Sequence, residues 1–413
     1  MRLDKFLRGL EDYSFFKGCY GWISICLFAM VFLTSSFMVT NDIMPSSVVI
    51  GLWLMLFCFL ITRKEYMRNK DIAPAVLLCL LFVLSYIANE ENLMNGISLL
   101  FSFFVAILLF YKAAFRDFKG AYLYVLTCLC WISVICYVAY SLVPQLDSLF
   151  VVIRPDGHAF SNAFLYVSDT CEIIKRNQGL FWEPGAFQAF ISIALLFELF
   201  SITPSFRRVS LFVITIITTY STTGYIAILL CFFAYYFKGA SGVNNSKKAS
   251  WGITILLLGI ILFFSQLSLE DNSNPFFKLF DFYDTQGWTD NTELTSASVR
   301  FFSIVIPFQA FLERPLFGYG YDGLIKYTQL YTSGMNTCTM INWFALYGVF
   351  FGLIMCRGYY RLSKYFSGKF CMNVMAFICM FIITMSENFA ANAFFFLLAV
   401  YGLKSNISVE SSY

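Results

Sequence analysis

Long apolar runs recur along this chain, and they constrain its fold more than any other feature. Charged residues make up only 13% of the chain, against about 25% in soluble globular proteins, and the mean hydropathy is +0.71. Because backbone polar groups find no water inside a bilayer, spans of this kind must be helices. We therefore predict an all-α polytopic membrane protein. Runs long enough to cross a bilayer lie at 19–39, 43–61, 72–88, 93–111, 121–143, 180–201, 249–267, 337–356, 370–386 and 388–403.

The stretch 209–237 is too long for one ordinary span and carries "STTG" at 221–224. Arginines precede it and lysines follow it, so the positive-inside rule places both ends in the cytoplasm. We predict two short helices with 221–224 at an outer tip, which brings the total to about twelve transmembrane helices. Because each arm is short, we expect the tip to lie below the outer surface, where protein or a wet cavity must cover the freed backbone groups.

The charge distribution supports this topology. With both termini inside, most of the 28 lysines and arginines fall in cytoplasmic connections, and most of the 25 acids fall outside. Every inner connection therefore obeys the positive-inside rule. The first apolar run is not followed by a small-residue cleavage site, so we interpret it as a retained span.

Two outer connections are much longer than the others. Loops of this length in compact proteins are usually functional or disordered. These two carry aromatic residues, glycine and proline rather than low-complexity sequence, so we expect them to be ordered. The predicted divisions are 1–143 with five helices, 144–179 as the first outer loop, 180–267 with helices that include the hairpin at 209–237, 268–336 as the second outer loop, and 337–413 with three helices and a short cytoplasmic tail.

Every cation predicted outside lies in these two loops, where acids outnumber the cations. The outer arginines therefore do not form a general anion-attracting patch. A guanidinium suits bidentate contact with phosphate or carboxylate; the alternative is that each arginine pairs with a neighbouring acid. The chain has no Gly-rich phosphate loop and no Cys/His cluster with metal-ligand spacing, so we expect neither a nucleotide cofactor nor a metal.

The stretch "KRNQGLFWEPGAFQAF", residues 175–190, leads from the first outer loop into a span. Pro184 suits the first turn of a helix, where its missing N–H does no harm. Arg176 and Glu183 would then lie at the outer mouth of that helix. Glu183 has two interpretations. It is either a helix-start residue favoured by the helix dipole, or a carboxylate in a partly dry mouth, where its pKa would rise enough for acid–base chemistry.

Four stretches share the pattern of one protein family. "RNQGLFWEPGAF" (176–187) reads R-x-x-G-x-F-x-E-P-G, and "RFFSIVIPFQAFLERPLFGYGYDG" (300–323) has an arginine, a short helix and P-L-F-G-x-G. "TTYSTTGYIAIL" (218–229) lies between them, and "NTCTMINWFALYGVFFG" (336–352) follows. They resemble bacterial O-antigen polymerases of the Wzy type, in the O-antigen ligase and polymerase superfamily. The resemblance covers about 170–360. It implies a GT-C-like fold with two large periplasmic loops in the bacterial inner membrane.

The resemblance implies a glycosyltransferase that acts at the periplasmic face. Such polymerases join undecaprenyl-pyrophosphate-linked oligosaccharide repeat units into O-antigen or capsular polysaccharide. The growing glycan leaves its lipid pyrophosphate and moves to a sugar hydroxyl of the next unit. The implied partners are the lipid-linked glycan as donor and acceptor, membrane lipid, a chain-length regulator and a flippase; no nucleic acid is expected.

The resemblance also implies roles for loop residues. Arg176 and Arg300 would hold pyrophosphate, and Glu183 is the first choice as base or as the group that orients an arginine. His158 is the second choice as base, and the assignment stays open. Arg314 has the alternative of pairing with a neighbouring acid, and the two glycines below are expected to shape a turn with positive φ. The weaker substrate-binding candidates are Arg154, Arg314, Gly318, Gly320, Trp182, Tyr319, Tyr321 and Trp288.

Other functions remain as alternatives. The ligase branch has a histidine just before the span after the second loop, whereas this chain has Asn336 there and no histidine, which favours a polymerase over an O-antigen ligase. A lipid-linked oligosaccharide flippase suits twelve spans. However, no internal repeat is evident, and only Glu198, near an inner end, places charge within a span. A non-enzymatic membrane partner protein is the last alternative.

Overall fold

A computed structural model describes residues 21–35, 45–63, 73–91, 93–153, 159–170, 175–238, 296–331, 337–366 and 370–404. The described residues are mostly helical, so the predicted all-α class is confirmed, although a small sheet is also present. The predicted span at 249–267 lies outside the described residues. The helices are α1 (Gly21–Thr34), α2 (Ser46–Thr62), α3 (Ala73–Ala88), α4 (Leu93–Lys112), α5 (Phe115–Leu142), α6 (Pro184–Leu199), α7 (Phe206–Thr218), α8 (Thr222–Lys238), α9 (Ser296–Glu313), α10 (Gly320–Gln329), α11 (Thr339–Leu362), α12 (Phe370–Ile383) and α13 (Ala393–Leu403).

The helices differ in length. Within the described residues, two are long and apolar enough to cross a membrane, Phe115–Leu142 and Thr339–Tyr365, and the other apolar helices are shorter. The stretch 209–237 carries α7 and α8 on either side of a short turn, and the second predicted outer loop carries α9 and α10. That loop is therefore mostly helical over the part that the structure describes.

Helices α6 and α13 form the centre of the molecule. Every residue of α13 is buried, and so is every residue of α6 except Gly185. Helices that are apolar all round belong in the core of a large protein or in a membrane. Phe190 of α6 stacks on Phe394 of α13 with ring centroids 4.9 Å apart, and Tyr122 of α5 donates to the carbonyl of Phe190 at 2.8 Å. This aromatic packing fixes the position of α6 and of the loop that precedes it.

The predicted first outer loop contains a three-stranded antiparallel sheet, which the sequence did not indicate. Its strands are β1 (Val151–Ile153), β2 (Ala159–Asn162) and β3 (Val167–Asp169), in that order across the sheet. Ser161 is paired with Ser168, and the hydroxyl of Ser168 donates to Asp147 at 2.9 Å. Each strand has three or four residues, too few for an alternating pattern to be recognisable.

Helix α11 is broken at Gly348, whose φ of 85° and ψ of 178° are not helical. The break frees the amide of Val349 and the carbonyl of Ala345, which would otherwise bond to each other. The segment before α10 pairs both groups, because Val349 donates to the carbonyl of Pro315 at 2.8 Å and Ala345 accepts from the amide of Tyr319 at 2.8 Å. Buried non-helical backbone persists where protein supplies the missing hydrogen bonds. The break in α11 thus holds this segment in place.

The close approach at this break explains two glycines. Gly318 has a φ of +69°, and a Cβ there would lie 2.5 Å from the carbonyl oxygen of Ala345. A Cβ on Gly348 would clash with the backbone of Leu316. Gly320 also has a φ of +69°. The positive φ expected for Gly318 and Gly320 is therefore confirmed, and the P-L-F-G-x-G stretch packs its backbone against a broken helix.

Candidate functional site

Glu183 and Pro184 begin α6, as the sequence predicts. Pro184 is the first helical residue, and Glu183 is the N-cap with extended backbone at φ −147°. The Glu183 side chain makes no capping hydrogen bond and is exposed. Within the described part of the chain, the Glu183 side chain is thus open at the end of the helix.

A second carboxylate, Glu387, lies against the first turn of α6. It belongs to the connection between α12 and α13, and its Oε1 is 2.7 Å from the position that a Cβ on Gly185 would occupy. A side chain at position 185 would have to displace this carboxylate. The start of a helix also favours a negative charge. Sequence reasoning missed Glu387, and the only available signal was an acid between two apolar runs on the predicted outer side.

Hydrogen bonds connect Glu387 to the start of α11. The Thr339 hydroxyl donates to the backbone carbonyl of Glu387 at 2.7 Å and accepts from the amide of Phe389 at 2.8 Å. Two residues earlier in the chain, the amide of Thr337 donates to the hydroxyl of Ser303 in α9 at 3.0 Å. These bonds bring the starts of α6, α11 and α13 together with the first half of α9.

We call this region the outer mouth and define it by Glu183, Gly185, Ser303, Thr337, Thr339 and Glu387. Position 300 lies one turn before Ser303 on the same face of α9, because residues three apart on a helix are neighbours. The backbone of Arg300 is therefore close to the outer mouth. Its side chain lies outside the described part of the chain.

Arg176 lies at the connection between α7 and α8. The next residue, Asn177, is fully buried. Its amide and its side-chain Nδ2 both donate to Thr218, each at 2.9 Å, and its Oδ1 accepts from Ser133 of α5 at 2.7 Å. Backbone groups at the turn between two helices are thus covered by the loop that carries Arg176. The Arg176 side chain is half-buried.

Trp182 joins the small sheet to the outer mouth. It packs against Phe160 and Val167 of the sheet, and its ring centroid lies 6.1 Å from that of Phe389. The amide of Val167 donates to the carbonyl of Gly179 at 2.7 Å. Trp182 therefore packs against neighbouring side chains on part of its surface, and the rest of its surface is exposed because the residue is only half-buried.

A cleft of about 470 Å³ opens at the far end of α9. It lies between the α3–α4 connection and α10. We call it the outer cleft and define it by Glu90, Glu91, Arg314, Tyr319, Asp322, Lys326 and Tyr327. Asp322 and Lys326 are exposed, and so is Glu90, whose backbone is left-handed at φ 51°. A non-glycine residue in this conformation is strained by roughly 1–2 kcal/mol, and such strain concentrates at functional sites.

Glu313 fixes two rings of the outer cleft. Its carboxylate accepts from the hydroxyl of Tyr319 at 2.5 Å and from that of Tyr327 at 2.7 Å, and these bonds lower the pKa of Glu313. The Arg314 guanidinium lies over the ring of Tyr319, 4.5 Å from its centroid. Within the described residues, no close ion pair joins Arg314 to Glu313 or Asp322. The charge of Arg314 nevertheless contributes to the lowered pKa of Glu313.

Glu91 ties the α3–α4 connection to α10. Its Oε1 accepts from the amide of Asp322 at 2.9 Å. Burial is the main cause that raises the pKa of Glu91, while hydrogen bonds from backbone amides at the start of α10 oppose the rise. A side chain on Gly320 would clash with Glu91. Gly320 therefore allows the contact that forms one wall of the outer cleft.

Several predicted site residues either have packing roles or lie outside the residues that the structure describes. Arg154, His158 and Trp288 lie outside the described residues. Gly318 and Gly320 serve backbone packing, and Tyr321 is exposed beside the outer cleft. The structure thus places Glu183 at the outer mouth and Tyr319 with Arg314 in the outer cleft.

No protein-family model matches the chain, and no curated protein sequence matches it either.

Proposed function

We propose that this protein is a membrane glycosyltransferase that joins undecaprenyl-pyrophosphate-linked oligosaccharide repeat units into a polysaccharide at the periplasmic face of the bacterial inner membrane. The observation that supports it most is the convergence of two stretches with the polymerase pattern. Through Gly185, Glu387, Thr339 and the bond between Thr337 and Ser303, the start of α6 and the first half of α9 meet at the outer mouth.

Exposed apolar side chains support a membrane location. Large hydrophobic residues on helices at the periphery of the protein are exposed. Examples are Met55, Ile87 and Leu142, with exposed fractions of 67%, 70% and 76%. Broad apolar exposure of this kind marks a surface that lipid or protein covers. The twelve-helix topology, with both termini cytoplasmic, belongs to this proposal.

Contacts between connections agree with the sides that the charge pattern assigns to them. On the predicted inner side, Lys112 donates to the carbonyl of Leu60 at 2.5 Å, and Arg361 donates to the carbonyl of Lys404 at 2.7 Å. The contacts of the outer mouth and outer cleft join connections that the same pattern places outside. Both sets of contacts are therefore compatible with one orientation in the membrane.

In the proposed reaction, a hydroxyl of the acceptor sugar attacks the sugar carbon that carries the pyrophosphate. A new carbon–oxygen bond forms, the bond from that carbon to the phosphate oxygen breaks, and undecaprenyl pyrophosphate leaves with the bonding electron pair. Glu183 accepts the proton of the hydroxyl and later releases it to water. Arg176 and Arg300 stabilise the charge that develops on the leaving pyrophosphate.

Glu387 is proposed as a positioning residue for Glu183. Its carboxylate lies against Gly185, two residues after Glu183, and its backbone is held by Thr339. A side chain whose backbone is held in this way and whose carboxylate packs against the helix can help to set the position of the first turn of α6. Since a small misplacement of a catalytic group lowers the rate strongly, Glu387 supports catalysis without contact with the reacting atoms.

A deletion strain tests the proposal at the level of the cell. Without this protein, surface lipid should carry a single repeat unit, because assembly stops before chain growth. Surface lipid with no glycan, and polymer retained on its carrier, would instead indicate a ligase. Lipid-linked units trapped inside the cell would indicate a flippase. Either of the last two profiles contradicts the proposal.

Two arginine substitutions test the site. In the complemented deletion strain, Arg176→Ala and Arg300→Ala should each abolish the ladder of long glycans while the protein remains in the membrane. Arg207→Ala is a matched control, since Arg207 is an exposed arginine at the start of α7 on the predicted inner side, and it should restore the normal ladder. Normal ladders in both outer-loop variants would contradict the assignment.

A further inference from the structure

The outer cleft has no role in the reaction proposed above, yet its side chains are arranged for binding. We propose that it binds one sugar of the lipid-linked glycan, several sugars away from the reacting bond. By this binding it selects which repeat unit is polymerised. This inference rests on the proposed polymerase function and assigns a part of the substrate to a second site.

Tyrosine rings form one side of the cleft and continue beyond it to Tyr331. The ring centroids of Tyr319 and Tyr327 are 5.0 Å apart, and those of Tyr327 and Tyr331 are 5.5 Å apart. Because Glu313 accepts hydrogen bonds from Tyr319 and Tyr327, those two rings cannot turn freely. Tyr327 is only 9% exposed, and Arg314 covers one face of Tyr319. The ring most open to a ligand is that of Tyr331, which is 58% exposed and follows the lining residue Leu330 in the chain. Amphipathic rings of this kind suit the C–H faces of a sugar ring, with polar groups close by.

Polar groups in the cleft remain available for a ligand. Within the described residues, the side chains of Glu90, Asp322 and Lys326 have no hydrogen-bond or ion-pair partner. An ionised carboxylate accepts several hydrogen bonds, and an ammonium donates three. Sugar hydroxyls both donate and accept, so a polyhydroxylated ligand can satisfy both kinds of group at once. The strained backbone of Glu90 holds one of these carboxylates at the cleft.

The balance of charge excludes the pyrophosphate as the occupant. Carboxylates from Glu90, Glu91 and Asp322 line the cleft, against the cations of Arg314 and Lys326. An anion with more than one negative charge would meet more acids than bases. Arg314 is also engaged with the ring of Tyr319. The cleft therefore suits a neutral sugar, and Arg314 is a sugar-binding candidate rather than a ligand of pyrophosphate.

The position of the cleft agrees with a remote sugar. Helix α9 connects the two regions, because its residue Ser303 lies at the outer mouth and its residue Glu313 lies at the outer cleft. With a rise of 1.5 Å per residue, that part of the helix spans about 15 Å. A glycan whose pyrophosphate lies at the mouth would therefore reach the cleft with a sugar far from the bond that breaks. The cleft volume of about 470 Å³ is also within the range of small-ligand sites.

Remote binding of this kind contributes to specificity without taking part in the chemistry. Gly323 offers a direct test, because it lines the cleft and a Cβ there would make only ordinary contacts, the nearest at 3.5 Å to Tyr319. Gly323→Phe should fill the cleft while α10 stays folded. Gly323→Ala is the matched control, since a methyl group leaves most of the space open.

The binding experiment uses the purified full-length protein in lipid nanodiscs and free repeat-unit oligosaccharide released from the host strain's own polymer by mild acid. Isothermal titration should show binding to the wild type and to Gly323→Ala. The Kd should rise at least tenfold in Gly323→Phe. It should rise by a smaller factor in Asp322→Asn, because the amide keeps one acceptor oxygen but loses the charge that strengthens its hydrogen bonds. Equal Kd values for wild type, Gly323→Phe and Asp322→Asn, or no binding to the wild type, would overturn the inference.

The result separates this inference from the polymerase proposal. If Gly323→Phe binds the oligosaccharide normally while Arg176→Ala abolishes the glycan ladder, the cleft inference fails and the polymerase stands. If Gly323→Phe loses binding while Arg176→Ala and Arg300→Ala keep normal ladders, the cleft binds glycan and the assignment of the polymerase site fails.

Discussion

The outer mouth and the outer cleft lie at two ends of one helix, α9, but their side chains are used differently. At the mouth, Thr339 bonds to both Glu387 and Phe389, and Ser303 bonds to Thr337. Most polar groups there hold neighbouring segments together. At the cleft, the walls are held by Glu91 and Glu313, while other charged groups face an open space.

This difference separates two tasks. A region whose parts are cross-linked by hydrogen bonds keeps reacting groups in one geometry, which chemistry requires. A region with fixed walls and uncommitted charges can exchange its solvent for a ligand. We therefore propose that the chemistry takes place at the mouth and that the cleft recognises the glycan.

The largest effect on folding is expected at Gly348, where the break in α11 holds the segment that leads into the outer cleft. Gly348→Ala places a side chain in a backbone region that is essentially restricted to glycine, which costs about 1–3 kcal/mol. The methyl group would also meet the backbone of Leu316, where overpacking adds about 1–3 kcal/mol. We expect the yield of folded protein to fall sharply in size-exclusion profiles. Gly323→Ala is the control. It should be stabilised by up to about 1 kcal/mol, because Gly323 is helical and open. A Gly348→Ala protein that melts like the wild type would contradict the account of the break.

The two carboxylates of the mouth should differ in their effect on rate. Glu183→Gln removes the proposed base and should slow polymerisation about 100-fold or more. Glu387→Gln removes only a positioning group and should slow it less. Its pH–rate profile should keep the acidic limb that Glu183→Gln loses. Rates of purified protein on lipid-linked repeat units measure both effects. A larger loss in Glu387→Gln, together with loss of the acidic limb, would transfer the role of base to Glu387.

Residue type and spacing along the sequence predicted only part of the fold and of the candidate site. Pro184 at the start of α6 and the positive φ of Gly318 and Gly320 follow from residue type, and the apolar runs indicate the helical class. The contact of Glu387 with Gly185 and that of Glu91 with Asp322 join residues far apart in the chain, the latter pair by 231 positions. Such contacts depend on how the helices pack, which residue spacing does not specify.

The α11 break shows the same limit. A glycine within an apolar run is tolerated in a continuous helix, so Gly348 alone does not announce a break. The break becomes understandable only with Pro315 and Tyr319, which pair the freed backbone groups. The sheet of the first outer loop was missed for a different reason, because its strands are very short.

The smallest expected effect is on the melting temperature and concerns Glu91, which forms one wall of the outer cleft. Because the pKa of Glu91 is raised in the folded protein, the stabilisation from its protonation is complete below the ordinary glutamate pKa and is lost as the pH rises through the raised value. Glu91→Gln stays neutral and can still accept from the amide of Asp322. Its melting temperature should therefore exceed that of the wild type at neutral pH but not in acid. A difference that is the same at every pH would show that burial of this charge is unimportant.

Reconstitution tests the central claim most directly. Purified protein in liposomes is given undecaprenyl-pyrophosphate-linked repeat units, and both polymer and released undecaprenyl pyrophosphate are measured. The account predicts that the wild type makes polymer and releases one undecaprenyl pyrophosphate for each new linkage, while the Arg176→Ala, Arg300→Ala double variant does neither. A wild type that makes no polymer from this substrate, or a double variant that polymerises at the wild-type rate, would contradict it.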